Sequence, residues 1–333
     1  MLLPIQNRNK KWLDKPIKMI FTTPVNVPHY EPRIDHNSKV FLAGSCFVEN
    51  IGDKFDYYKI PNKRNPTGIL YHPFGIRDFI ARVVEGNEFQ GEDLFFHNER
   101  WHCFEAHSTM SDPDKAHYLE KLNAALKTTH DYLKSATHVI ITPGTSWVYR
   151  RVENNMPVAN CHKLPQVNFR KEISKVNEIE DALSTILSKV HDLNPKAQVI
   201  FTISPVRHIR DGLVENQLSK SMLFVALHHL ISRNKSAYYF PSYEILMDEL
   251  RDYRFYAEDM LHPGKVGIDY IWQKFTKAWF SAEALLTLRE IETIQKGLSH
   301  LPFNENSTAH RKFRASLDTK IQAIQSKYSQ IFF

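Results

Sequence analysis

Four short apolar runs set the limits on what this chain folds into: residues 40–43 (VFLA), 138–142 (HVIIT), 199–203 (VIFTI) and 237–240 (AYYF). A strand buried on both faces reads as a near-continuous apolar run, and amphipathic helical segments separate these four. Strands alternating with helices make a parallel sheet covered on both faces, with right-handed crossovers. The expectation is therefore a three-layer α/β/α domain around a mainly parallel central sheet. The chain has 333 residues, enough for one large domain with insertions or one domain with an appendage.

The first run leads into the stretch on which the rest depends, KVFLAGSCFVEN at 39–50. Gly44 breaks the strand, Ser45 and Cys46 follow, and Phe47, Val48 and Ile51 recur at helical spacing. This is strand, tight turn, helix, with a hydroxyl at the turn. Open α/β sheets bind ligands at the carboxyl ends of their strands, and the free N–H groups of a starting helix can hold an oxyanion. Local pattern alone leaves Ser45 equally readable as a helix N-cap. Cys46 is the other candidate nucleophile, with its side chain expected to point into the core.

Residues 1–38, punctuated by Pro4, Pro16, Pro24, Pro28 and Pro32, read as an extended lead-in with an edge strand at 18–22. A second short strand is expected at Tyr57–Ile60, before the turn-rich PNKRNPTG. Residues 39–295 are assigned to the α/β domain, with insertions at 86–112 and 148–163 over the strand ends, and 296–333 to a helical extension. Helices are expected at 113–135, 172–193, 216–233, 243–250, 266–295 and 309–330.

Polar residues gather at four strand ends: Ser45; Thr145 with Ser146; Arg207 with His208; and the loop with Asp259 and His262. A doubly wound sheet puts these ends on one edge. Asp259, three residues before His262, can reach the imidazole Nδ1 while Nε2 faces Ser45, an arrangement that fixes the tautomer of a general base.

The blocks GSCF at 44–47, NPTG at 65–68, GTSWVY at 144–149, ANCHK at 159–163, SPVRH at 204–208 and DMLHP at 259–263 resemble the GSCFA family, itself similar to SGNH (GDSL-like) hydrolases. The resemblance covers roughly residues 20–285 and implies an SGNH-hydrolase-like, flavodoxin-like topology. It implies that Ser45 is the nucleophile, with Gly44 where those enzymes carry Asp, and that His262 and Asp259 are base and acid. It implies an oxyanion hole from the amides of Ser45 and Gly68. The third block lacks its usual Asn, and Asn160 or Asn65 is the expected replacement. The function implied is a serine esterase or acyltransferase acting on an acylated saccharide or other small ester. The alternative is a non-catalytic small-molecule or carbohydrate-binding protein that keeps the fold.

Asn65, His107, Ser146, Arg207 and His208 are the expected substrate-binding side chains. Arg207 and His208 suit an anionic substrate or, equally, an ion pair with Asp211 or Glu215. No cofactor is expected. Cys46, Cys161, His162 and His262 fit no zinc spacing, so no metal is expected. The net charge is +6, but the basic residues are dispersed; the densest set, Arg8, Lys10, Lys11, Lys15 and Lys18, is interrupted by Trp12, Leu13 and Asp14. That argues against a nucleic-acid partner. No window is apolar enough for a membrane span, the N-terminus lacks a secretory h-region, and three scattered cysteines suit a reducing cytoplasm.

Overall fold

The structure, a computed structural model, describes residues 22–333. The edge strand expected at 18–22 falls almost wholly outside the described residues.

The chain begins with strand β1 (Val40–Gly44), helix α1 (Phe47–Tyr57), strand β2 (Asn62–Arg64) and helix α2 (Pro73–Glu85). A hairpin of β3 (Leu94–His97) and β4 (Arg100–Cys103) precedes α3 (Lys115–Lys134) and β5 (His138–Thr142). Next come β6 (Trp147–Arg151), β7 (Pro157–Val158) and β8 (Phe169–Ile173), then α4 (Val176–Leu193), β9 (Gln198–Phe201), α5 (Leu213–Arg233) and β10 (Ala237–Tyr239). A short α6 (Ser242–Glu244) runs on as a π-helical turn at Ile245–Leu250, followed by α7 (Lys265–Trp279), α8 (Ala282–Leu298) and α9 (Thr308–Lys327).

The central sheet has five strands in the order β10-β9-β5-β1-β2, all parallel. Renumbered within the sheet this is 2-1-3-4-5, the flavodoxin-like order, and its switch point lies between β1 and β5. All four apolar runs are in it. Strand alternation splits each run between two cores. Phe41, Ala43, Val139, Ile141, Val199 and Phe201 face α2, α3, α4 and α5. Val40, Leu42, Ile140 and Ile200 face α1, α7 and the start of α8. The architecture is α/β/α in three layers.

Three local expectations change. Tyr57–Ile60 is not a strand: α1 runs through Tyr57, and the pairing segment is Asn62–Arg64. The segment 266–295 is two helices, broken at Phe280 and restarted by Ser281, whose hydroxyl accepts from the Ala284 amide at 3.0 Å. Phe169–Ile173, unassigned as a strand from the sequence, joins β6 and β7 in a small antiparallel sheet. The two inserted regions grip each other through Ala159 N–H to the Phe104 carbonyl at 2.8 Å. Among the described residues no helix is long and apolar enough to cross a membrane.

Candidate active site

β1 stops at Gly44 because the chain must turn sharply there. Its φ is +146°, and a Cβ would stand 2.2 Å from the Thr142 carbonyl oxygen. Asn65 fixes the same turn from the β2 side: its Oδ1 accepts from Gly44 N–H at 2.9 Å and its Nδ2 donates to Glu49 at 2.6 Å. Cys46 is the N-cap of α1, and its side chain does not cap the helix. The Cys46 and Phe47 amides at this helix start both favour the thiolate form of the Cys46 sulfur. The first turn of α1 thus offers donors to whatever sits at that sulfur.

The imidazole of His262 arrives from the loop before α7. Asp259 Oδ2 accepts from His262 Nδ1 at 2.6 Å, and Asp259 Oδ1 accepts from the backbone amides of Leu261 and His262 at 2.9 Å each. The bond from the imidazole, with those two amides, holds the Asp259 carboxyl down at about 2. An ionised carboxylate on Nδ1 makes that nitrogen the donor, so Nε2 is the acceptor of the neutral ring. Met260, at φ +59°, makes the tight turn that brings Asp259 back onto His262.

His262 Nε2 meets Cys46 Sγ at 3.4 Å. The expected Ser45–His262 hydrogen bond is not formed. Ser45 is fully buried and its Oγ has no hydrogen-bond partner, while its amide donates to the Thr142 carbonyl at 2.9 Å. The Cys46 side chain, expected in the core, is the one that reaches the imidazole. The signal was present in the GSCF block: set against Gly-Asp-Ser from the leading glycine, the third residue is Cys46 and the second is Ser45. Burial raises the Cys46 thiol, opposed first by the charge of Lys220 and then by the Cys46 and Phe47 amides.

The remaining expected residues divide into two groups. The Gly68 amide donates to the Asn65 carbonyl at 2.8 Å, closing its own turn, so two of the expected oxyanion donors, Ser45 N–H and Gly68 N–H, are already engaged. Gly68 is required there by φ +82° and by His107, whose Cβ would lie 2.5 Å from an added methyl. Asn160 Oδ1 accepts from Ser108 Oγ at 3.0 Å and from His162 N–H at 2.8 Å, which ties the two insertions together. Ser146 is buried and donates to the Ser219 carbonyl at 3.0 Å. These side chains hold loops in place.

Arg207 and His208 lie in the loop between β9 and α5, where the His208 amide donates to Asn216 Oδ1 at 2.9 Å. Neither expected ion pair, with Asp211 or with Glu215, is formed; Asp211 pairs with Lys171 instead. His208 Nε2 is buried without a partner and comes within 3.0 Å of where a Gly144 side chain would be. Burial, then the charge of Lys220, lowers His208 to about 4. Lys220, which no sequence motif marks, is a fully buried lysine of α5 whose Nζ donates to the Ser204 carbonyl at 2.6 Å.

The GSCFA family profile matches residues 39–275, and that of the GSCFA domain protein, C-terminal domain, matches residues 291–333. No curated protein matches. Among solved structures, the chain is similar to a family 3 carbohydrate esterase of Clostridium thermocellum at 9% identity and a TM-score of 0.34, covering 76% of this chain and 97% of that one. It is similar to a carbohydrate esterase family 3 protein from Talaromyces cellulolyticus at 7% identity and a TM-score of 0.34, covering 76% and 99%. An acetyl xylan esterase from Butyrivibrio proteoclasticus aligns at 11% identity and a TM-score of 0.36, covering 77% and 67%.

Proposed function

The chain belongs to the GSCFA family, and we propose that it is an acyl hydrolase or acyltransferase acting on a small ester or acylated saccharide, with Cys46 as nucleophile, His262 as general base and Asp259 as its orienting carboxylate. One observation carries this reading: a thiol, an imidazole and a carboxylate in series, 3.4 Å and 2.6 Å apart, at the start of a helix. A neutral thiol is a weak nucleophile until a base takes its proton.

In the proposed cycle, Cys46 Sγ attacks the ester carbonyl carbon as His262 Nε2 takes the thiol proton. The Cys46 and Phe47 amides donate to the oxyanion. Collapse expels the alkoxide, which leaves as the alcohol with the proton from His262. Water or an acceptor hydroxyl then attacks the thioester, His262 takes its proton and returns it to sulfur, and Cys46 is restored. Asp259 stabilises the imidazolium in both halves.

The competing nucleophile is Ser45, and labelling separates the two. Iodoacetamide should modify Cys46 in a His262-dependent manner, and a fluorophosphonate should leave Ser45 unmodified. Fluorophosphonate on Ser45 would overturn the assignment. A second reading, a binding protein that keeps the fold, is favoured by the engaged Gly68 and Ser45 amides. Turnover of p-nitrophenyl esters or acetylated saccharides by wild type and none by Cys46→Ala would exclude it.

A further inference from the structure

The loop between α8 and α9 carries the two most exposed large apolar side chains among the described residues: Leu301 is 90% exposed and Phe303 fully so. Single surface apolar residues are ordinary, but a fully exposed Leu and Phe side by side with a charged rim mark a contact surface. The rim here is basic. Residues 299–316 hold Arg311, Lys312 and Arg314 against a single acid, Glu305. The ion pairs of the extension among the described residues, Lys296 with Glu292 and Lys327 with Glu283, leave all four unpaired.

The fold gathers these groups on one tip. The second half of α9 is the anchor, with Leu317 and Ile324 buried and Ile324 and the following Tyr328 packed with Ile291 and Ile294 of α8. In the first half, from Thr308 to Ser316, every residue except the half-buried His310 is exposed. The loop folds back onto that half, where the His300 and Phe313 rings meet at 5.8 Å between centroids. Leu301 thus follows a residue seated on the turn of α9 that carries Lys312 and Arg314, and Phe313 between those two is itself 39% exposed. The extension joins the body at the far end of α1 from Cys46. There Gln295 Nε2 donates to the Tyr57 carbonyl at 3.0 Å, about 16 Å of helix from the sulfur-bearing turn.

We propose that this tip docks on an anionic lipid bilayer, with Leu301 and Phe303 entering the boundary between headgroups and acyl chains and Arg311, Lys312 and Arg314 lying against the headgroup charges. The inference is independent of the reading of Cys46. Charge and apolar surface together select this partner. A second copy of the chain would set the three cations against their own images, because a two-fold interface brings the same patch to both sides. A nucleic acid would neutralise the cations and stack on Phe303 but offers nothing to Leu301. A bilayer surface uses both features, and such peripheral docking needs no membrane-spanning helix.

Co-sedimentation of the full chain with vesicles tests the proposal. One set is phosphatidylcholine alone, the other phosphatidylcholine and phosphatidylserine in equal parts. Wild type should partition onto the anionic vesicles about 10²-fold more strongly, roughly fivefold for each of three cations. High salt should release it, since screening shortens to about 3 Å at 1 M. Arg311→Gln/Lys312→Gln/Arg314→Gln should bind the two vesicles alike. Leu301→Ser/Phe303→Ser should weaken binding to the anionic vesicles by about tenfold while keeping its salt dependence. All five positions are exposed, and an unchanged urea midpoint shows that the variants fold. No binding to either vesicle, equal binding of wild type to both, or unchanged binding of Leu301→Ser/Phe303→Ser overturns the proposal. So does release of the protein from anionic vesicles by a single-stranded oligonucleotide at equal phosphate concentration, which assigns the tip to nucleic acid.

Discussion

Cys46 Sγ and His262 Nε2 stand 3.4 Å apart across 216 positions of sequence, and Ser45, the neighbouring hydroxyl, takes no part in that contact. Cys46→Ala should therefore remove ester turnover and iodoacetamide labelling together, while Ser45→Ala keeps activity within about tenfold, as for a residue that touches no reacting atom. Assays with p-nitrophenyl acetate beside peptide mass spectrometry check both. Loss of turnover in Ser45→Ala with labelling intact would return the nucleophile to Ser45.

On the proposed reading, His262 and Asp259 should separate kinetically. His262→Ala removes proton transfer and is expected to lower kcat by about 10²–10⁴. Asp259→Asn places a donor opposite Nδ1 and favours the wrong tautomer. Water can reach the half-exposed pair and restore part of the orientation, so a smaller loss in kcat with KM unchanged is expected. Steady-state kinetics of the two variants on one substrate provide the comparison.

Both ends of the Asn65 amide are engaged at the turn, Oδ1 with Gly44 N–H and Nδ2 with Glu49. Removing its side chain leaves the buried Gly44 amide without an acceptor, a loss of about 1–3 kcal/mol. Urea denaturation of Asn65→Ala should show that loss in the midpoint, with the slope unchanged. A wild-type midpoint with reduced kcat would show a catalytic role.

Two buried histidines tie stability to pH. Burial lowers His72 to about 3 and His138 to about 4. In the unfolded chain each titrates near pH 6.5. Below that pH the unfolded chain binds protons that the folded one refuses. Stability is thus full above about pH 6.5 and falls as pH drops toward the folded values, by about 1.4 kcal/mol per pH unit for each group. His72 is the informative one: its Nδ1 accepts from the Phe74 amide at 3.0 Å, which a proton there would break. His72→Asn keeps a capping acceptor and should flatten the fall by one group. Denaturation midpoints at pH 7, 6 and 5 for both proteins measure it.

The central sheet was legible because burial on both faces leaves an apolar run that no other element mimics. β2 was not legible, since its three residues, Asn62, Lys63 and Arg64, are polar and half-buried at the sheet edge. β8 escaped for the same reason: Arg170 and Lys171 are exposed, and only its partner β6 defines it. At the site, Asp259 and His262 were legible as a pair because one tight turn joins them. The choice between Ser45 and Cys46 was not legible from residue type. Adjacent side chains at a turn diverge, and the backbone angles decide which one faces the base. Lys220 went unread because a lysine in a helix is ordinarily a solvated residue.

The Cys46 thiol and the His262 imidazole come from opposite ends of the α/β domain's chain order. Cys46 sits between β1 and α1 near the start, and β10, one of the two edge strands, precedes the loop that delivers His262. During translation the strand–helix unit bearing the sulfur leaves the ribosome long before any imidazole is made to face it. A chain cut between residues 46 and 259 keeps the cysteine and loses the imidazole that faces it, so the Cys46–His262 contact forms only after all five strands of the sheet have been made.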